Sequence, residues 1–143
     1  MLRLAATLLS VFLTALAFPP GPYPYVALVA MVPLFLALIG TGPGMGSLIG
    51  VTYGFPIWIV SIWWVKTGVE NWIGLSPLSG WVITFVFAAF QALPYMIFGY
   101  VQGWMKINKF CPSILRSSVL LTVCTGFFPA VFPGSIVHSF YAT

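Results

Sequence analysis

The chain has 143 residues, 61% of them hydrophobic and 4% charged, with a net charge of +4 and a mean hydropathy of +1.09. A water-soluble domain carries about a quarter charged residues, so this composition excludes one and makes lipid the expected solvent. The five cations are scattered along the chain, which excludes a nucleic-acid surface.

A helix crossing a hydrocarbon core of about 30 Å needs about 20 apolar residues. The apolar runs here are continuous rather than alternating, which excludes barrel strands. The first run, residues 4–18, ends at Pro19-Pro20-Gly21-Pro22. With Arg3 before it and Ala15-Leu16-Ala17 near its end, it resembles a secretory signal; the expectation is an uncleaved span. The second run, residues 25–40, ends at Thr41-Gly42-Pro43-Gly44. Both are short enough for a tilted hairpin.

The third run, residues 45–65, opens with Gly46, Gly50 and Gly54. That small-xxx-small face lets another helix approach closely, within the chain or from a second chain. Pro33, Pro56 and Pro94 fall inside apolar runs and are expected to bend their helices. Neighbouring helices then cover each bend, or the bend opens a cleft for lipid.

The stretch SIWWVKTGVENW, residues 61–72, contains the sole acidic side chain, Glu70, four residues after Lys66. The expected role is an interfacial ion pair that keeps both charges hydrated, contributing a few tenths of a kcal/mol. The competing reading is a Glu-Lys-Cys catalytic set. Topology opposes it: Cys111 falls on the opposite side, and Cys124 sits in an apolar span, where a thiol is inert. The two cysteines also lack metal-type spacing. Trp58, Trp63, Trp64, Trp72 and Trp81 gather around the same end. They read as an aromatic belt at the headgroups, or as a platform for an acyl chain or a flat hydrophobic pigment.

The fourth run covers residues 78–104 and the fifth residues 114–128, with Lys106, Lys109 and Arg116 at or near the loop between them. Residues 129–143 stay unassigned. They include the single histidine, His138, the one candidate for holding a pigment, with no second ligand type nearby. No metal and no resident cofactor are expected, although a lipid or pigment could be carried. If the N-terminus is cytoplasmic, Arg3, Lys106, Lys109 and Arg116 lie inside and Lys66 outside, which places four of the five cations as the positive-inside rule requires. The reading is one all-α integral membrane domain over residues 1–143, with about five crossings. It is multi-pass in the bacterial inner membrane, its C-terminus periplasmic.

The segment ALAFPPGPYPYVALVAMVPLFLAL resembles the first hairpin of bacterial apolipoprotein N-acyltransferases. GSLIGVTYGFPIWIVSIWWV resembles the family's next helix, and GFFPAVFPGSIVHSFY its Gly-Phe-Pro stretch and the segment that follows. The resemblance covers residues 15–143. It implies a membrane region that, in the family, precedes a periplasmic nitrilase-like domain carrying the catalytic Glu, Lys and Cys, and an activity that moves an acyl chain from a phospholipid to a lipoprotein amine. The sequence ends before that domain would begin, and no position here matches its catalytic residues. The family also carries an acidic residue and an arginine near the fifth span, where this chain reads SSVLLTVCTGFFPA.

Two functions follow. The first is a non-catalytic membrane subunit, a shortened relative of the acyltransferase membrane region, acting as scaffold or accessory chain among lipids and other membrane subunits. The second is the membrane half of an acyltransferase that needs a separate nitrilase-like domain. A transporter ranks last, because no span carries a mid-membrane charge.

Overall fold

Prolines and glycines set the helix boundaries in the computed structural model, which describes residues 1–17, 23–105 and 110–127; of Pro24 and residues 110–114 it describes the backbone alone. The helices are α1 (Leu2–Ala17), α2 (Ala27–Ala30), α3 (Val32–Leu38), α4 (Pro43–Ile62), α5 (Trp64–Ile73), α6 (Pro77–Trp104) and α7 (Phe110–Phe127). A 3-10 turn, Pro24–Val26, leads into α2. The described residues contain no strand.

Pro33 has no N–H to offer the Val29 carbonyl, and the second apolar run divides at Met31 into α2 and α3. Gly40, at φ 65°, turns the chain after α3. Pro43 begins α4 at a position where its missing donor costs nothing. The third apolar run is not one helix to residue 65. It closes at Ile62, and Lys66 N–H bonds the Trp63 carbonyl at 3.2 Å in a tighter turn before α5 continues to Ile73. Pro56 and the Ser61 hydroxyl, which donates to Ile57 O at 2.8 Å, loosen the helix before this break. Gly74, at φ 74°, ends α5, and the Gly74 and Leu75 N–H groups fold back onto the Val69 carbonyl. Ser76 then caps α6, accepting from Ser79 N–H at 3.3 Å.

Two helices, α4 and α6, are long and apolar enough to cross a membrane; α1, the α2–α3 pair and the described part of α7 are shorter apolar segments. The α4–α6 pair is the most extensive packing in the molecule, and α1, α5 and α7 lean on it. The core around it includes Leu34, Leu38, Tyr53, Ile62 and Phe98, all fully buried. Phe35 meets Phe98 edge-on at 6.2 Å between ring centres, and Tyr53 meets Tyr95 at 5.4 Å.

On α1 and part of α6 polar residues face inward and large apolar ones outward. On α1 the buried positions are Thr7, Ser10, Thr14 and Ala17, while Leu4, Leu8, Leu9 and Phe12 face outward. On α6 the buried face includes Gly80, Thr84, Ala88, Gln91, Gly99 and Gln102, while Val82, Phe85, Val86 and Ile97 face out. In water this arrangement would leave hydrocarbon unburied at about 25 cal/mol per Å². In a bilayer it costs nothing, and small inward residues allow close helix contact.

Three buried polar groups find partners on other helices, while Thr7, Thr41 and Thr84 bond locally and Gln102 Oε1 and Trp58 Nε1 make no hydrogen bond. Ser10 donates to Ala30 O, Thr14 and Tyr53 share a hydrogen bond of 3.0 Å, and Gln102 Nε2 donates to Ser117 Oγ at 2.7 Å.

Candidate functional site

The end of the bundle where α5 turns back onto α6 gathers Lys66, Glu70 and four tryptophans, Trp63, Trp64, Trp72 and Trp81. Lys66 and Glu70 fall one turn apart on α5, and the lysine ammonium bridges the carboxylate. Nζ lies 2.9 Å from Oε2, to which it donates, and 2.7 Å from Oε1, which it meets as an ion-pair contact without an aligned hydrogen bond. Both side chains are mostly buried. Across from them on α6 stands Gly80: a Cβ built there would sit 3.1 Å from the Lys66 carbonyl and 3.3 Å from Glu70 Oε1. The absent side chain gives the ion pair its room. Lys66 Nζ also lies 5.7 Å from the Trp81 ring centre, within cation–π range.

Trp63, Trp64 and Trp72 project from the same end and are exposed, Trp72 at 83%. With Thr67, Gly68 and Asn71 they line a shallow notch of about 260 Å³. Trp81 stacks on Phe85 at 5.6 Å. This arrangement holds two neutralised charges beneath a rim of indole rings, the carboxylate engaged by its lysine. Cys124 is a half-buried free thiol on α7 beside the apolar core. Among the described residues no cluster of His, Cys, Asp or Glu could hold a metal ion.

The glycines of the third run form the second constellation. Gly46, Gly50 and Gly54 all face α6. A Cβ at Gly46 would fall 2.8 Å from the Gly99 carbonyl carbon, one at Gly50 2.7 Å from that of Tyr95, and one at Gly54 2.7 Å from Tyr95 Cδ2. Sequence reasoning missed the other half of this contact, Gly99 and Gly103, although they are themselves spaced as a small-xxx-small pair. It also missed the Thr14–Tyr53 bond, which no spacing rule signals.

The antiparallel register of α4 and α6, with Gly46 at Gly99 and Gly54 at Tyr95, puts the start of α4 beside the end of α6. The Gln102–Ser117 bond brings the first half of α7 to the same end, and Arg116 with it. Arg3, exposed at the start of α1, lines a groove with the first half of α4 and belongs there too. Lys66 and Glu70 occupy the opposite end. Lys106, Lys109 and His138 lie outside the described residues, as does the side chain of Cys111.

Comparison with curated proteins and with solved structures gave no match. A family model, the apolipoprotein N-acyltransferase N-terminal domain, matches residues 10–142, and the chain belongs to that family.

Proposed function

We propose that the protein is a non-catalytic, polytopic subunit of the bacterial inner membrane, acting as a scaffold or accessory chain in a larger membrane assembly. The observation that carries this reading is the outward-facing apolar surface of α1 and α6, with Thr7, Ser10, Thr14, Thr84, Gln91 and Gln102 turned inward. Such a surface suits lipid tails and the helices of other chains. About five crossings, with the N-terminus cytoplasmic and the C-terminus periplasmic, agree with Arg3 and Arg116 sharing one end and Lys66 standing at the other. The tryptophans around Lys66 and Glu70 then mark the periplasmic headgroup layer.

The test is extraction in mild detergent followed by mass measurement of the intact particle. A complex with further subunits is expected; a stable lone monomer overturns the scaffold reading. Sidedness is tested by single cysteines at Asn71 and Arg116 in a background without Cys111 and Cys124. An impermeant maleimide should label Asn71→Cys in spheroplasts and Arg116→Cys after lysis.

A second reading is favoured by the family match over residues 10–142: the membrane half of an acyltransferase that works with a nitrilase-like domain on a separate chain. Under it, lipoprotein acylation appears when that domain is added and is absent from the isolated protein.

A further inference from the structure

We infer that the groove between α1 and α4 binds an anionic phospholipid, its phosphate on Arg3 and an acyl chain along Leu48 and Ile49; this rests on the membrane reading above. The groove encloses about 690 Å³, within the range of about 300–1,000 Å³ typical of small-molecule sites. Its walls are Leu2, Leu4, Met45 and Leu48, all exposed, and its floor is the buried Ile49. The Thr7 hydroxyl donates to the Arg3 carbonyl at 2.9 Å, so that polar group is spent within α1. The lining from Met45 to Thr52 runs along α4 for about 10 Å, and its charged groups are the Arg3 guanidinium and the terminal amine of Met1.

Arg3 lacks a counter-ion among the acidic side chains of its own chain. The single one is Glu70, and it is held by Lys66 at the far end of α4. From Met45 to Ile62 alone that helix spans about 25 Å, beyond the reach of any side chain. No acidic side chain of the chain therefore reaches Arg3, which leaves its exposed guanidinium open to a lipid phosphate. A guanidinium pairs with a phosphate through two parallel hydrogen bonds, and the apolar groove beside it takes hydrocarbon. An anion joined to an acyl chain satisfies both halves of the site, whereas a free phosphate satisfies one.

The test places the full chain in bilayer discs of equal phosphatidylcholine and phosphatidylglycerol with matched acyl chains, and reads the lipids retained by native mass spectrometry. Phosphatidylglycerol should be retained about five-fold over phosphatidylcholine, the preference one basic residue gives near an anionic surface. Arg3→Gln should lower the preference, Arg116→Gln should keep it, and inorganic phosphate should not displace the lipid. Equal retention of the two lipids by the parent protein, an unchanged preference in Arg3→Gln, an equal loss in Arg116→Gln, or displacement by inorganic phosphate each overturns the site. Carbonate washing of membranes separates this from failure of the membrane reading. Protein that washes off refutes that reading, and protein that stays but shows no lipid preference refutes the site alone.

Discussion

Gly46 and Gly99 stand backbone to backbone, and a Cβ built on either one collides with the carbonyl of the other. Gly103 meets Gly42 from one side, a Cβ on Gly103 falling 2.6 Å from the Gly42 carbonyl carbon while one on Gly42 meets nothing within 4 Å. The α4–α6 contact is thus set by main chain, which cannot swing aside as a flexible side chain would. Gly99→Ala and Gly46→Ala should each destabilise the protein by about 1–3 kcal/mol through overpacking. Gly44→Ala, two residues away with nothing within 4 Å of its Cβ, should be neutral or gain up to about 1 kcal/mol in helix propensity. Unfolding in mixed micelles measures all three; equal stability of Gly44→Ala and Gly99→Ala would refute the close approach.

The Thr14–Tyr53 hydrogen bond joins α1 to α4 with both residues fully buried. Bonds of this kind inside membrane bundles average about 0.6 kcal/mol and reach about 1.7. Thr14→Val and Tyr53→Phe should each cost an amount in that range. The double variant should cost less than the two added together, because neither hydroxyl is then stranded. Strict additivity in the cycle would mean the two groups do not interact.

What the sequence made legible, and what it hid, follows from how each signal is written. Glycines at 46, 50 and 54 marked a close-packing face, because small residues at that spacing have one physical use in a helix. The helix they meet was hidden, since pairing depends on chain reversal and not on local pattern. The break at Trp63 was hidden because the chain remains apolar through Ile62, Trp63, Trp64 and Val65, so hydropathy passes over it unchanged. The buried stripe of Thr7, Ser10 and Thr14 was present at helical spacing. It was submerged in a run of leucines whose outward direction appears once the helices are packed. Lys66 and Glu70 announced their pairing by spacing, whereas Gly80, which makes room for it, lies ten residues on and on another helix.

That pair should respond asymmetrically to mutation. Lys66 has a long stem able to carry its ammonium to water and a Trp81 face beside it. Glu70 is short and packs toward Gly80. Glu70→Gln should cost less than about 1 kcal/mol. Lys66→Met, which strands a carboxylate, should cost about 1–3 kcal/mol. The double variant should return to the level of Glu70→Gln. Chemical unfolding at low and high salt reads both effects, and an exposed pair of no consequence would show no difference between the single variants.

The outward-facing apolar surface makes the sharpest demand. Val86 lies well inside α6, is 63% exposed and faces away from α4. At an exposed position in water, valine to lysine changes stability by no more than about 0.5 kcal/mol. In the middle of a membrane helix the same change costs about 3 kcal/mol, because valine favours insertion slightly and lysine opposes it strongly. Val86→Lys should therefore cut the membrane-inserted yield severely. Lysine at Trp72, exposed at the indole-rimmed end, should be tolerated, since its ammonium reaches the headgroup layer. Carbonate-resistant protein per cell is the readout. Equal tolerance of lysine at 86 and at 72 would mean that water, not hydrocarbon, surrounds α6.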